Sequence, residues 1–207
     1  FNWLAGQSQG WGGINIQLME SLTRLGPLWQ VKAEEANPLP NLAKDWEFSA
    51  DRKSLTMYLL EGARWSDGNM FDTEDIDFWW NDNVQDANVN SRLPKDALGA
   101  GTTLEILGPY SFKFNFDEPK GNAVLAQLAY MGGAPGPSHV MKSLHPSHNS
   151  DATYESYANG MPASVLPIVT MGAFVPVVHK VDELMVMKRN PYSVSYTHLT
   201  LPTNRCV

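Results

Sequence analysis

Four carboxylates stand close together in the sequence, at Asp72, Glu74, Asp75 and Asp77. Carboxylates at this spacing can act as general acid and base or bind a metal ion, so the group is the first candidate for chemistry. The group surrounds the start of an apolar run at Ile76, and the helix dipole favours acidic side chains in a first helical turn. We therefore predict a helix that is capped by Thr73 and reaches Val84, with the carboxylates forming its polar first turn.

Three histidines, His139, His145 and His148, form a second candidate group because histidine is a common metal ligand. Pro146 prevents His145 and His148 from taking helical i, i+3 positions. No cysteine or carboxylate completes a recognisable set of metal ligands around them. We interpret all three as solvated loop histidines and expect neither a metal ion nor another cofactor.

Sequence patterns of nucleotide-binding enzymes are absent. Neither the phosphate-binding G-x-x-x-x-G-K pattern nor the dinucleotide-binding G-x-G-x-x-G pattern occurs. Because the acidic group is better explained as the start of a helix, no set of residues supports a catalytic hypothesis. We predict that the protein is not an enzyme and has no catalytic residues.

The composition is that of an acidic globular chain. Its 207 residues carry a formal net charge of −7 and are 43% hydrophobic and 18% charged, which suits one large domain or two small ones. The acidic balance argues against nucleic acid as a partner. A single cysteine, Cys206, rules out a disulfide framework, and no apolar run reaches the length of a membrane span.

Hydrophobic periodicity predicts a mixture of short helices and strands. A first helix is predicted over 14–25, where Leu18, Leu22 and Leu25 recur at helical spacing before the stop at Gly26-Pro27. Strands are predicted at 28–33, 42–48, 55–60, 103–107, 110–116, 171–178 and 183–187, with a turn at 37–40. Further helices are predicted at 121–130, 139–144 and 151–158.

Two linked motifs carry a family resemblance. Residues 40–49 are similar to a P-x-L-A-x-x-W-x-x-S segment, and residues 62–78 are similar to the pattern G-x-x-W-S-D-G-x-x-F-x-A-x-D-V-x-F that follows it. Gly172-Ala173-Phe174 and residues 185–192 resemble two later segments of the same family. By these motifs the chain is identified as a member of the family 5 extracellular solute-binding proteins, the dipeptide- and oligopeptide-binding receptors of ABC importers.

Most residues of the two motifs have a structural explanation. We expect Trp46, Trp65, Phe71 and Phe78 to be mostly buried in one small core, since buried aromatic side chains are usually core residues. In the Asp67-Gly68 turn, glycine tolerates a positive φ. Arg52 departs from the family, whose members usually have glycine at this position of the hairpin.

The resemblance implies an α/β fold that is part of a two-lobed periplasmic-binding-protein-like architecture (type II, cluster C). It implies the first lobe and a small inserted domain, with the second lobe missing. Residues 1–27 are predicted to start lobe one, residues 28–165 to form the inserted domain, and residues 166–192 to return into lobe one. The resemblance ends after Tyr192, so residues 193–207 are predicted to be a non-native tail, and the chain is expected to be an amino-terminal fragment without its signal segment.

Members of the family bind their ligand between two lobes, so the resemblance favours loops that face the cleft. The first such loop offers Trp3, Gln9, Trp11 and Gly12, which supply stacking faces, an amide group and an exposed backbone N–H. Tyr130, which precedes Met131-Gly132-Gly133, is a second candidate ligand-binding residue. The alternative is that the first loop is only a glycine-rich connector.

The resemblance implies the substrate-binding component of an ABC transporter, located in the periplasm or cell envelope. Its expected partners are a peptide or oligosaccharide ligand and the membrane permease, and we expect it to act as a monomer. One wall of a cleft buries too little of a ligand, so the 207-residue chain alone is expected to bind no peptide tightly. The alternative is a tryptophan-rich carbohydrate-binding module, which requires exposed tryptophans at positions 46, 65, 79 and 80.

Overall fold

The computed structural model describes Leu4 and residues 17–25, 37–129, 131–159, 166–180 and 183–193. Within these ranges the strands are β1 (Thr23–Leu25), β2 (Pro38–Pro40), β3 (Ala43–Phe48), β4 (Ser54–Leu59), β5 (Thr103–Gly108), β6 (Ser111–Asn115), β7 (Phe174–Lys180) and β8 (Leu184–Arg189). The helices are α1 (Thr73–Asp77), a π-helix that continues it (Phe78–Val84), α2 (Ala123–Gln127), α3 (Ser138–Met141) and α4 (Tyr154–Asn159). Two 3₁₀ turns cover Met131–Gly133 and Lys142–Leu144. Every helix that the structure describes is too short or too polar to span a membrane.

The largest sheet has four antiparallel strands in the order β3-β4-β6-β5. Its register pairs Leu55 with Phe114 and Met57 with Phe112, and all four side chains are buried. Alternating burial fixes such a register, because a slip of one residue would turn every apolar side chain towards solvent. The two strand pairs predicted for this region are confirmed, and the two strands predicted near the end of the chain form the pair β7–β8.

The loop between β3 and β4 requires a left-handed residue, and the chain places Arg52 there with φ = 57°. Among the described residues, Arg52 alone has a positive φ without being glycine. Glycine suits this position because it adopts a positive φ without steric cost. Its side chain holds the loop in place, because Nε donates to Lys120 O (2.6 Å) and the guanidinium lies 4.1 Å above the Phe48 ring.

Two substitutions separate the backbone strain at Arg52 from its side-chain contacts. Arg52→Ala and Arg52→Gly both remove the guanidinium, but only glycine adopts the left-handed conformation without a steric penalty. We expect Arg52→Gly to be the more stable variant by about 1 kcal/mol in urea unfolding. Equal stability of the two variants would show that the backbone at this position is unstrained.

The aromatic residues of the motifs lie in one hydrophobic core. Trp65, Phe71 and Phe78 are buried as predicted, whereas Trp46 is only partly buried and packs against the core. Trp79 and Trp80 are each 1% exposed, and the Trp80 ring lies 4.9 Å from that of Phe114. The tryptophan-rich carbohydrate-binding module is therefore wrong, because three of the four tryptophans that it needs at the surface are in the core.

Helix α1 begins at Thr73, the predicted cap, and its actual cap lies one residue earlier. Asp72 is the N-cap, and its side chain accepts a hydrogen bond from Glu74 N while Asp75 accepts one from Asp72 N, which forms a capping box. Thr73 instead donates its hydroxyl to Gly108 O (2.8 Å), so it joins the helix to the β5–β6 turn. The helix then widens into the π-helix, where the Asn83 amide donates to Phe78 O (2.9 Å).

The helix predicted over 14–25 is wrong in its described part, where residues 18–22 are not helical and Thr23–Leu25 forms β1. Strand β1 pairs with β2, so the turn predicted at 37–40 is also wrong. The apolar spacing fits a helix equally well, but tertiary hydrogen bonds decide against it. Leu22 N donates to Gly133 O (3.0 Å), and the Thr23 hydroxyl donates to Leu125 O (2.7 Å). The strand predicted at 28–33 lies outside the described residues.

Candidate functional site

The five predicted ligand-binding residues lie outside the part of the chain that the structure describes. They are Trp3, Gln9, Trp11, Gly12 and Tyr130. Their role stays a prediction, but the structure fixes the described residues beside them. Leu4 and Gln17 stand on either side of the first loop, and Ala129 and Met131 stand on either side of Tyr130.

Leu4 is held at the amino-terminal end of the candidate loop. Its side chain is buried, and its carbonyl oxygen accepts a hydrogen bond from Arg92 N (3.2 Å). Gly136 lies directly against the side chain, since a Cβ built on Gly136 would stand 2.6 Å from Leu4 Cδ1. The start of the loop is therefore anchored to the segment 86–92 and to Gly136.

The other end of the candidate loop is anchored to Gly172. Gly172 N donates to Leu18 O (3.2 Å), and a Cβ at position 172 would overlap the carbonyl oxygen of Gln17. Glycine is required here because two backbones approach each other closely. This residue belongs to the Gly172-Ala173-Phe174 segment that carries the family resemblance, so the contact gives that segment a physical role.

The glycines after Tyr130 also serve close packing. A Cβ on Gly133 would overlap the backbone of Leu128, and one on Gly132 would stand 3.0 Å from Leu93 N. Because Leu22 N donates to Gly133 O and Leu4 contacts Gly136, the 131–136 segment packs against the residues that flank the first loop. The structure thus brings the flanks of both candidate segments together.

A junction joins the W-S-D-G motif to the last segments of the described chain. Ser66 N donates to Thr170 O (2.8 Å), and Thr170 N donates to Ser66 Oγ (3.0 Å). The buried Asn190 donates its side-chain amide to Gly172 O (2.9 Å) and its backbone N–H to Ala173 O (2.9 Å). The motif residues therefore hold separate parts of the chain together.

Asp75 is a buried carboxylate, so the interpretation of all four acids as a polar first turn is wrong for this residue. Its Oδ2 accepts a hydrogen bond from Trp65 Nε1 (2.9 Å), and its Oδ1 accepts one from Ser138 N (2.8 Å). Burial raises the pKa of Asp75, and the bonds from Ser138 and Trp65 act in the opposite direction. The carboxylate ties Trp65 to the start of α3, which is a structural role.

His139 and His148 are exposed to solvent as predicted, and each lies against an aspartate. His139 Nε2 lies 2.7 Å from Asp67 Oδ2, and His148 Nε2 lies 3.0 Å from Asp82 Oδ2. His145 is completely buried, so its interpretation as a solvated histidine is wrong. In the described ranges no group of three or more His, Cys, Asp or Glu side chains is arranged to hold a metal ion.

Comparison with known families agrees with the motifs. The profile of the bacterial extracellular solute-binding proteins, family 5 middle region, matches residues 37–202, which is most of the chain. The chain belongs to this family. The matched range of this family 5 chain includes both linked motifs and the Ser66–Thr170 junction.

Two close relatives of the family 5 chain are sugar-binding proteins. The periplasmic alpha-galactoside-binding protein of Rhizobium meliloti is 47% identical over 93% of this chain and 28% of the relative. The solved structure of the periplasmic binding protein MelB from Agrobacterium fabrum, in complex with stachyose, is 45% identical over 93% of this chain, with a TM-score of 0.87.

The solved oligopeptide-binding protein OppA is 26% identical over 87% of this chain, with a TM-score of 0.66.

These matches show that the fold is part of a periplasmic-binding-protein fold. The family 5 chain spans 28% of the Rhizobium protein, 29% of MelB and 30% of OppA. It therefore represents under a third of the length of these relatives, and the predicted division into lobe one and an inserted domain stays a prediction.

Members of this family are solute-binding proteins, in agreement with the prediction that the chain is not an enzyme. One segment matches a catalytic sequence motif. Gly6-Gln7-Ser8-Gln9-Gly10 fits the G-x-S-x-G pattern of a nucleophile elbow. A nucleophile elbow requires a sharp strand-to-helix turn around its serine. These five residues lie outside the described ranges, so the spacing carries no catalytic assignment.

Proposed function

We propose that the protein carrying this chain is the extracytoplasmic solute-binding component of an ABC importer and that it binds an oligosaccharide of the α-galactoside class. The observation that carries the proposal is the difference between its relatives. Identity of 47% and 45% to two sugar-binding proteins, over 93% of the chain, far exceeds the 26% identity to OppA. Oligosaccharide therefore replaces peptide as the first candidate ligand.

The proposed contacts follow the chemistry of a sugar. The aromatic face of Trp11 or Trp3 suits the apolar face of a pyranose ring, and the Gln9 amide both donates to and accepts from hydroxyl groups. A glycine such as Gly12 lets the backbone N–H approach the ligand closely. The anchored flanks Leu4 and Gln17 support this proposal, since a site is most selective when rigid elements hold its loops.

The proposal assigns the wall of lobe one to this chain, with residues 28–165 as the inserted domain and residues 166–192 as the return into lobe one. Closure of a second lobe over the ligand would shift the population towards the closed state, because only that state contacts the ligand from both sides. The membrane permease would then recognise the closed protein as its partner.

The proposal is tested by calorimetry on the protein at the length of its relatives. We expect saturable binding of stachyose and no binding of a tetrapeptide, with maltotriose as a control that has α-glucosidic bonds. Tight binding of the tetrapeptide and not of stachyose would instead support a peptide receptor of the OppA kind.

A substitution at Trp11 tests the stacking contact. We expect Trp11→Ala to weaken stachyose binding about tenfold or more, since truncating a buried aromatic contact commonly costs over 1 kcal/mol. Trp11→Phe, which keeps an aromatic face, is the matched control and should retain most of the affinity. Unchanged affinity in Trp11→Ala, with an unchanged circular dichroism spectrum, would assign the loop to the role of a connector.

A further inference from the structure

His145 lies in a pocket of aromatic rings between the π-helix and α4. Its side chain is completely buried, and its ring centroid lies 4.5 Å from that of Tyr157, 5.7 Å from Tyr154 and 5.9 Å from Phe78. Tyr157 in turn donates its hydroxyl to Asn83 of the π-helix. A titratable ring in such a place is held rigidly and is shielded from water.

The hydrogen bonds of His145 assign its neutral tautomer. Ser147 N donates to Nδ1 (3.2 Å), so Nδ1 carries a lone pair and the ring proton is on Nε2. Nε2 is buried and faces the backbone of Asp82, without a hydrogen bond of good geometry to a described residue. It lies 3.9 Å from Asp86 Oδ2, which is too far for a hydrogen bond and close enough for a strong charge interaction.

Protonation of His145 would change the pocket on both sides of the ring. The added proton must go to Nδ1, where it would face the N–H of Ser147, so this hydrogen bond would be lost. The resulting imidazolium would attract Asp86, and the buried setting makes this attraction stronger than it would be in water. Asp86 Oδ2 already accepts a hydrogen bond from Tyr154 (2.8 Å), so its movement would rearrange that contact.

Asp86 is connected to the candidate ligand-binding loop by a short segment. Asp86 Oδ1 accepts a hydrogen bond from Asn88 N (2.8 Å), which fixes the start of the segment 86–92. At its end, Arg92 N donates to Leu4 O (3.2 Å), and Leu4 flanks the loop. A movement of Asp86 can therefore be transmitted to Leu4 along the backbone of the segment 86–92 and through the Arg92–Leu4 hydrogen bond.

We propose that His145 is a pH-sensitive positioning residue, which controls the placement of Leu4 through Asp86 and the segment 86–92. At neutral pH the uncharged ring holds the segment in the arrangement described here. At acidic pH the charged ring draws Asp86 inwards and shifts the anchor of the loop. The effect on ligand binding rests on the proposed function, whereas the effect on Leu4 does not.

Several titratable groups face His145 and set the pH at which its ring becomes protonated. Burial lowers the pKa of His145, the carboxylates of Asp82 and Asp86 act to raise it, and His148 acts to lower it. Tyr154 and Tyr157 of α4 complete the surroundings, and the hydrogen bond to Asp86 raises the pKa of the Tyr154 hydroxyl. The change is thus expected below the usual histidine pKa of about 6.5.

Nuclear magnetic resonance of the 207-residue chain tests the proposal without any ligand. The His145 ring and the amides of Leu4 and Arg92 are followed from pH 8 to pH 5. We expect both amide signals to shift with the midpoint of His145 in the wild-type chain and in His148→Gln, and to stay constant in His145→Gln. The proposal would be overturned if the Leu4 and Arg92 amide signals still shifted in His145→Gln. It would also be overturned if these signals stayed constant in the wild type while the His145 ring titrates.

A second variant keeps the test decisive where His145→Gln does not fold. Asp86→Asn retains the histidine but removes the charge that it would attract, so the amide shifts of Leu4 and Arg92 should shrink. Undiminished shifts in Asp86→Asn would contradict the proposed route.

Stachyose calorimetry on the longer protein is the functional readout. We expect affinity to fall about fivefold or more between pH 7.5 and pH 5.5 in the wild type and to stay level in His145→Gln. A pH-independent affinity in the wild type would overturn the functional part of the proposal. If stachyose fails to bind at either pH while the amides still report the coupling, the proposed ligand is wrong and the positioning role stands.

Discussion

Trp65→Ala is expected to destabilise the chain by about 3–5 kcal/mol, the usual range for truncating a fully buried large aromatic. Trp65 is 1% exposed, its ring packs edge-on against Phe71 at 6.0 Å, and its Nε1–H donates to the buried Asp75 carboxylate. The substitution would therefore leave a cavity and remove a donor from a buried charge. Urea unfolding measures the loss, and Trp46→Ala, at a partly buried site, should cost less.

Trp65→Phe separates the hydrogen bond from the packing. An aromatic ring remains, although phenyl is smaller than indole, and Asp75 loses the Nε1–H donor, so its already raised pKa should rise further. Protonation of Asp75 removes the buried negative charge, and with it the free-energy cost of the missing donor. The cost of Trp65→Phe should consequently be largest at neutral pH and shrink as the pH falls through the pKa of Asp75. A cost that does not vary with pH would show that packing alone explains the effect.

Gly172→Ala is expected to destabilise the chain by about 3 kcal/mol, at the upper end of the range for overpacking. The new methyl group would overlap the carbonyl oxygen of Gln17, and a backbone atom cannot rotate away as a side chain does. Unfolding of Gly121→Ala provides the control, since Gly121 has open space around its missing Cβ and no positive φ.

The same substitution is expected to affect binding in the longer protein. Because Gln17 ends the candidate loop, its displacement should weaken stachyose affinity even at temperatures where Gly172→Ala is fully folded. Full affinity in the folded variant would show that the position of Gln17 does not matter to the ligand.

Local pattern predicted the parts of the fold where one face of a strand is buried. Alternating apolar residues predicted the pairs β3–β4 and β5–β6 and placed most aromatic motif residues in the core, but not the pairing of β4 with β6 that joins the two pairs. Strand β1 was missed because Leu18, Leu22 and Leu25 are compatible with a helix, whereas pairing with β2 and hydrogen bonds to residues more than 100 positions away decide the outcome.

The candidate site was predictable only through family resemblance, because polar side chains and glycines in a loop have no periodicity to read. Burial of Asp75 and His145 was missed for a related reason. An acidic residue in a first helical turn normally faces water, and only the Trp65 and Ser138 donors, brought in from other segments, make a buried carboxylate tolerable. The anchoring role of Gly172 could have been suspected from its place in a motif, but its partner Gln17 could not.

The π-helix has a consequence for which changes the chain tolerates at Phe78–Val84. Buried residues recur there five positions apart, as Phe78 with Asn83 and Trp79 with Val84, whereas an α-helix repeats after three or four. Loss of a single residue from this turn would restore the tighter helix and rotate half of these side chains away from the core. The segment should therefore tolerate a change of length even less than a change of one of its buried side chains.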